Sequence, residues 1–195
     1  MYFETIKVEN GKLLNLKYHQ QRVDNARSFL GFSDKLELNT KDFNLPQEGE
    51  FRLRVDYAKK IQSFTCKEFI KREFKKFRLI ESDIEYKYKY VNRYELDALK
   101  RDEKEIIITK DGLLRDTSIA NIALHVDGIW LTPRIPLLKG TTRARLIDEG
   151  FLKCRDLTAD DLEKAQNFAI MNALIDFMII EKAEIELGFE RTIYK

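Results

Sequence analysis

Alternating apolar and polar positions in the first third of the chain predict short strands around one helix. The stretch FETIKVENGKLLNL is typical of two strands joined at the turn ENG. Apolar residues at helical spacing then predict a helix over about residues 17–30, with Arg22 on or beside the apolar face. FRLRVDY alternates like a further strand. We therefore expect a small α/β domain over residues 1–68.

The remainder of the chain is richer in strand patterns and turn signals. Two Asp-Gly pairs, beginning at Asp111 and Asp127, predict hairpins because this dipeptide suits tight hairpin turns. TTRARLIDEG predicts a short helix, and Thr158 with Asp161 predicts a capping box that opens another. FAIMNALIDFMII is ambiguous by periodicity, and we interpret it as a buried strand that turns into a helix. Residues 69–195 are expected to form a larger domain of mixed α and β structure.

Composition and charge mainly exclude classes of protein. The chain has 195 residues, 44% of them hydrophobic, so a packed core is expected rather than disorder. Its 35 basic and 33 acidic residues leave a net charge of +2, which argues against a nucleic-acid or membrane surface. Its two cysteines lie far apart, and neither a signal segment nor an apolar run of membrane length occurs. We therefore expect a cytoplasmic protein without a metal site.

The segment YKYKYVNRYELDAL raises the question of chemistry, because it sets lysines among tyrosines where a strand seems to run into a helix. A lysine that acts as a nucleophile must be neutral part of the time, and aromatic neighbours lower its pKa by desolvation. Lys89 is the candidate, and Lys87 is its rival because it points the same way in a strand. An edge strand of tyrosine and lysine without a catalytic role is the alternative interpretation.

Three further features complete a set. Asp116 follows a hairpin turn, LLKGTTRARL places two threonines at a helix start where backbone N–H groups bind anions, and Arg22 needs an anionic partner. Each has a simple structural alternative, such as a turn cap or a helix cap. Together with Lys89 they fit pyridoxal phosphate, which needs a lysine, a carboxylate for its pyridine nitrogen and donors for its phosphate.

Several segments, in order along nearly the whole chain, resemble the class IV aminotransferases, the fold type IV pyridoxal-phosphate enzymes. FETIKVENGKLLNLKYHQQRV is similar to the family's opening strands and His-x-x-Arg helix, which implies that Arg22 binds the cofactor phosphate. KYVNRYE resembles the catalytic segment of aminodeoxychorismate lyases and favours Lys89 over Lys87. LLRDTSIAN resembles the strand pair that carries the partner of the pyridine nitrogen, here Asp116, five residues before Asn121, which implies that both residues bind the cofactor. The family usually has glutamate at this position.

The resemblance implies further residues near the cofactor. PLLKGTTRARLI matches the family's Gly-x-Thr-Arg turn, which implies phosphate contacts from Thr141 and Thr142. FAIMNAL resembles the later Asn-Ala strand end, which implies that Asn172 and Ala173 lie near the cofactor or substrate. Some branched-chain members have a tyrosine near the cofactor at the position of Tyr94.

Because the carboxylates of a substrate need cations, four residues of the predicted first domain are candidates to face the substrate: Phe3, Lys7, Arg52 and Arg54. Arg52 and Arg54 share one face of their predicted strand. Exposed strand charges without a ligand are the alternative interpretation of these basic residues.

The fold that the resemblance implies is D-amino-acid-aminotransferase-like. It has a small α/β sandwich and a larger, barrel-like α/β domain, with the cofactor in the cleft between them. The family also implies a homodimer whose partner subunit helps to wall the pocket, and a small-molecule amino substrate. The chain starts at the FETI strand, where most members carry a further strand before it, so we expect the substrate pocket to differ in shape.

Within the family, FETI and KYVNR look most like 4-amino-4-deoxychorismate lyase, which releases pyruvate and gives 4-aminobenzoate for folate synthesis. A branched-chain or D-amino-acid aminotransferase with the same cofactor residues is the alternative. A scaffold with a degraded site is a further possibility. Nucleic-acid binding through the cluster KREFKKFR is the most distant one, because acidic residues interrupt the cluster.

Overall fold

The computed structural model describes residues 1–100, 102 and 104–187, together with the backbone of residues 190–193. The chain divides into two compact units. The first contains Met1–Lys71 and Tyr88–Asn92, and the second contains Arg72–Lys87 and Arg93–Lys195. The segment that carries Lys89 therefore belongs to the first unit, although the chain on either side of it belongs to the second.

The first unit is an antiparallel sheet with one helix against it. Its elements are β1 (Tyr2–Glu9), β2 (Lys12–Leu13), α1 (Leu16–Phe29), one turn of 3₁₀ helix (Thr40–Asp42), β3 (Glu50–Tyr57) and β4 (Ile61–Glu68), with strand order β2-β1-β3-β4. Alternation in β1 and β3 sends Ile6, Val8, Leu53 and Val55 to the core, where Val23 of α1 meets them. The hairpin at ENG and the helix are confirmed within one residue at each end.

The second unit is built on a ten-stranded sheet among its described residues. Its elements are β5 (Lys76–Glu81), α2 (Tyr94–Ala98), β6 (Glu105–Lys110), β7 (Leu113–Thr117), β8 (Asn121–Val126), β9 (Ile129–Pro133), α3 (Thr141–Asp148), β10 (Leu152–Arg155), α4 (Ala159–Lys164), β11 (Asn167–Asn172), β12 (Asp176–Ile179), β13 (Glu184–Leu187) and β14 (Glu190–Ile193). The strand order is β10-β9-β8-β7-β6-β5-β13-β14, and β11 pairs with β8 and β12.

Local turn and cap chemistry follows the sequence closely. Asp111 and Asp127 have φ of 54° and 50°, and the glycine after each also has positive φ, which is the geometry of a type I′ hairpin turn. The capping box of α4 is present, with reciprocal hydrogen bonds between Thr158 and Asp161. Both predictions are confirmed.

Two predictions of secondary structure are wrong. FAIMNALIDFMII forms the antiparallel pair β11 and β12 rather than a strand followed by a helix, because Asn172 accepts backbone hydrogen bonds from Leu174 and Ile175 and closes a turn. YKYKY forms no regular strand. Its only strand-like pairing among the described residues is an isolated bridge from Tyr90 to Tyr2.

Candidate active site

Lys89 lies against the first strand of the first unit. Its backbone carbonyl accepts a hydrogen bond from the N–H of Phe3 at 2.9 Å, and its Nζ lies 4.7 Å from the centre of the Phe3 ring. The side chain of Lys89 is half-buried, whereas that of Lys87 is exposed. Contact with an aromatic face desolvates an ammonium group in part, so the two lysines differ in their surroundings, and the choice of Lys89 as the nucleophile stays a prediction.

A buried cluster of charge lies on the opposite face of β1. Glu4 is fully buried and accepts hydrogen bonds from Arg22 Nε at 2.8 Å, from Arg22 Nη2 at 2.6 Å and from His19 Nδ1 at 2.6 Å. The inward position of Arg22 predicts an anionic partner, and that partner is Glu4, which the sequence patterns did not reveal. The only signal for Glu4 was its place in the inward register of β1, where an apolar residue is usual.

The pKa values of both Glu4 and His19 are lowered in this cluster. Burial alone would raise the pKa of Glu4, but the Arg22 charge and the hydrogen bonds from His19 and Arg22 outweigh burial and lower the pKa from 4.5 to about 2. Burial lowers the pKa of His19, so His19 is neutral and donates its Nδ1–H to the Glu4 carboxylate. In the described part of the chain, the buried His19 Nε2 has no hydrogen-bond partner.

The face of the first sheet that carries Phe3 also carries the basic strand residues. The guanidinium of Arg54 lies 4.1 Å from the centre of the Phe3 ring, and Arg54 Nε donates to Asp56 Oδ1 at 2.9 Å. Lys7 lies opposite Arg52 in the register of β1 and β3, and it pairs with Glu50 at 2.8 Å. Arg52 is exposed. Among the contacts of the described residues, Arg54 is the one of these three cations that lies over the same aromatic ring as Lys89.

In the second unit, Asp116 is buried at the end of β7. Its Oδ1 accepts a hydrogen bond from Asn121 Nδ2 at 2.7 Å, and its Oδ2 accepts one from the backbone N–H of Leu138 at 2.8 Å. Burial raises the pKa of Asp116 from 3.8 to about 7, despite these two donors. A buried carboxyl group poised near neutrality can pair with a protonated ring nitrogen, which is the role that the sequence predicts for it.

Helix α3 begins close to Asp116. Asp116 and Asn121 both form hydrogen bonds to Leu138, two residues before Gly140, the N-cap of α3. Gly140 gives no side-chain cap, while Thr141 and Thr142 are 3% and 1% exposed. Among the residues that the structure describes, the Oγ1 of Thr142 is buried without a hydrogen-bond partner. First-turn N–H groups and an unused buried hydroxyl are what an anion at this helix start would engage.

The remaining predicted residues are less central. Asn172 caps the turn after β11 and donates to the Ile119 carbonyl at 3.3 Å, and Ala173 follows it half-buried in that turn. Tyr94 begins α2 with 79% of its side chain exposed. Arg93, which the sequence patterns did not single out, donates to the Ser118 carbonyl at 2.9 Å beside the end of β7.

Comparison with known protein families and chains gives concordant matches. Residues 87–183 match the family described as amino-transferase class IV. An uncharacterized protein of Haemophilus influenzae is 32% identical over an alignment of 186 residues that covers 88% of this chain and 96% of that protein. The described residues contain no helix that is long and apolar enough to cross a membrane.

Solved structures share the fold over most of the chain. A Haemophilus somnus protein provisionally named 4-amino-4-deoxychorismate lyase is 30% identical with a TM-score of 0.79, covering 89% of this chain and 95% of that one. A hypothetical aminotransferase of Mycobacterium tuberculosis, in its PLP-bound form, has a TM-score of 0.79 at 16% identity and covers 100% of this chain and 83% of its own. At that identity the second match shows the fold alone.

Proposed function

The chain belongs to the class IV aminotransferases, a family of pyridoxal-phosphate-dependent enzymes, and from that premise we propose that it is a 4-amino-4-deoxychorismate lyase. The expected fold class and the expected cofactor are thereby established at the level of the family. The lyase activity and the residue roles are our proposal. The observation that carries it is the segment KYVNRYE, with Lys89 half-buried against Phe3, in a chain 30% identical to a protein named for this activity.

The donor set of the second unit fits the cofactor. Asp116 offers a buried carboxyl group, and Thr142 offers a buried hydroxyl whose hydrogen-bonding capacity no described residue uses. We propose that Asp116 pairs with the pyridine nitrogen and that Thr141, Thr142 and the first N–H groups of α3 bind the phosphate. Asn172 and Ala173 are proposed to lie near the cofactor or substrate.

The first unit supplies the covalent tether and a cation. We propose that Lys89 Nζ bonds covalently to the cofactor and that Arg22 contributes to phosphate binding. Arg22 is paired with Glu4, and we propose that it serves the phosphate while that pairing holds its guanidinium in place. Tyr94 is proposed only as a residue near the cofactor. Its side chain is largely exposed at the start of α2, which does not support this role.

The reaction follows from proton transfer by Lys89. When bound, pyridoxal phosphate supplies an electron sink that acidifies the C–H bond next to the substrate's amine. Lys89 Nζ takes the proton from that carbon. The neighbouring C–O bond to the enolpyruvyl group then breaks, the ring becomes aromatic, and the enolate that leaves takes up a proton at its methylene carbon to become pyruvate. Asp116 would pair with the pyridine nitrogen and keep it protonated.

Substrate recognition is proposed to use the Phe3 face of the first sheet. The substrate of this lyase carries two carboxylates, and Arg54 is the cation that lies on the same ring as Lys89. Among the described residues, the hydrogen bond that Arg54 makes uses Nε, so its two Nη groups hold no described acceptor. We therefore rank Arg54 above Arg52 and Lys7 as a carboxylate ligand.

The test is an assay of 4-aminobenzoate release from 4-amino-4-deoxychorismate by purified protein with pyridoxal phosphate and without any oxo acid. We expect product from the wild type and from Lys87→Ala, and none from Lys89→Ala. Borohydride reduction followed by peptide mass spectrometry should place the cofactor on Lys89. Product formation that requires an oxo acid would instead identify an aminotransferase, and labelling of Lys87 would contradict the assignment of the tether.

The assembly and location complete the proposal. We propose a homodimer that acts on a small-molecule amino substrate and has no nucleic-acid or membrane partner, in line with the near-balanced charge of +2. We also propose a cytoplasmic location, because Cys66 and Cys154 are both free thiols in the structure. Sedimentation of the purified protein at several concentrations tests the dimer.

A further inference from the structure

We propose that Asn121 is a positioning residue that ties the Asp116 carboxylate to the turn before α3, and that position 140 is glycine to admit the Asn121 amide. The inference rests on the proposed function to the extent that Asp116 and α3 bind the cofactor. It assigns Asn121 a role different from the direct cofactor contact that the family resemblance suggests.

The contacts of the Asn121 amide carry the first step. Its Nδ2 donates to Asp116 Oδ1 at 2.7 Å and to the Leu138 carbonyl at 2.8 Å. A primary amide has two N–H donors, so both donors of Asn121 are used within the protein. The backbone N–H of Leu138 in turn donates to Asp116 Oδ2 at 2.8 Å. Asp116, Asn121 and Leu138 thus form a closed ring of three hydrogen bonds.

The glycine at position 140 carries the second step. Gly140 has φ of −69° and ψ of 150°, which any residue adopts, so its backbone conformation does not require glycine. A Cβ added at this position would lie 2.0 Å from Asn121 Oδ1 and 3.1 Å from its Cγ. The amide cannot swing aside cheaply, because Asn121 is 5% exposed and its Nδ2 holds two hydrogen bonds.

These two steps explain how a carboxyl group one methylene shorter than glutamate is held. Aspartate has less reach, so its orientation depends more strongly on the backbone around it. Asn121 fixes one carboxylate oxygen and the turn at Leu138 fixes the other, and the same turn leads through Gly140 into α3. The carboxyl group and the start of α3 are therefore oriented together.

The first arm of the test is a double-mutant cycle on the protein without cofactor. It tests the contact between Gly140 and Asn121 independently of cofactor binding. Gly140→Ala should lower the Tm by roughly 5 °C or more in the wild type and by much less in the Asn121→Ala background, because removal of the amide relieves the clash. Additive shifts in the Tm would overturn the explanation of Gly140.

The second arm measures cofactor affinity and the pH dependence of the absorption spectrum of the bound cofactor. Asn121→Ala should raise the Kd for pyridoxal phosphate on the order of tenfold and shift the spectral pH midpoint, since a donor to Asp116 is lost. Asn121→Leu keeps a similar volume, removes both donors without adding a charge beside Asp116, and should act in the same direction. Unchanged Kd and midpoint in both variants would overturn the positioning role.

The matched control is Thr132→Val. The Thr132 hydroxyl is buried and donates to the Ile122 carbonyl at 2.9 Å, so its loss costs stability close to Asn121 without a contact to Asp116. We expect a lower Tm with an unchanged Kd and midpoint. If the wild type fails to bind the cofactor at all, the proposed function and the cofactor arm fail together, while the double-mutant cycle still decides the Asn121–Gly140 geometry.

Discussion

Glu4 accepts two hydrogen bonds from Arg22, at 2.8 Å and 2.6 Å. The Glu4 side chain is fully buried, and the Arg22 side chain is 12% exposed. A buried ion pair of this kind is a poor source of net stability, but removal of one partner leaves the other charge uncompensated. Arg22 therefore depends on Glu4 for its position, whatever anion it also serves.

Glu4→Gln should lower the free energy of unfolding by about 3 kcal/mol, because the glutamine leaves the Arg22 charge uncompensated. Urea denaturation followed by circular dichroism measures the change. Glu50→Gln is the matched control, since Glu50 pairs with Lys7 at 2.8 Å on an exposed strand end and should cost less than about 1 kcal/mol. Equal losses in the two variants would show that Glu4 does not compensate a buried charge.

The low pKa of Glu4 predicts sensitivity to acid. Its folded-state value of about 2 lies below the ordinary 4.5, so its contribution to stability is complete above pH 4.5 and is lost as the pH falls toward 2. Denaturation curves between pH 6 and about pH 2 should show a steep loss in the wild type and a shallower one in Glu4→Gln. Parallel pH profiles would contradict the assignment.

The raised pKa of Asp116 predicts that its contribution to stability in the protein without cofactor falls as the pH rises, the opposite of the trend for Glu4. Its folded-state pKa is about 7 against an ordinary 3.8, so its contribution is complete below pH 3.8 and is lost as the pH rises through about 7. Asp116→Asn should remove this part of the pH dependence between about pH 5 and pH 8. The measurement is the Tm of the cofactor-free protein across that range, and a variant as pH-dependent as the wild type would refute the prediction.

Arg54→Met should raise the KM for the dicarboxylate substrate on the order of tenfold or more with little change in kcat, because a charge-assisted hydrogen bond is lost in the ground state and transition state alike. Arg52→Met is the matched control. Arg52 lies on the same strand face but is exposed and makes no ring contact to Phe3 among the described residues. A larger effect from Arg52→Met would transfer the carboxylate site to that residue.

Sequence patterns predicted the parts of this structure that local chemistry determines. The Asp-Gly turns, the capping box and α1 depend on a few adjacent residues, and all three are confirmed. The segment around Lys89 has a strand-like alternation but pairs with β1 mainly through single backbone contacts, so no ladder forms. Its conformation depends on the N-terminal strand far away in sequence, which periodicity within the segment does not report.

The candidate site shows the same division. Residue type and spacing singled out Arg22, Asp116 and the threonines at the start of α3 as candidates, whereas the preference for Lys89 over Lys87 came from the family resemblance. Glu4 was missed, because its only signal was an acidic residue at one inward position of an alternating strand. The contact between Gly140 and Asn121 is also invisible in the sequence, since it arises where a hairpin and a helix start meet.

The position of β5 has a consequence for how the second unit forms. Lys76–Glu81 lies between β6 and β13 in the sheet and pairs in parallel with both, and Glu184–Leu187 lies roughly a hundred residues further along the chain. During synthesis on the ribosome, one edge of β5 therefore stays unpaired until β13 has emerged. Such high contact order implies slow folding of this unit, and an exposed edge on the nascent chain is where a chaperone would have the most to protect.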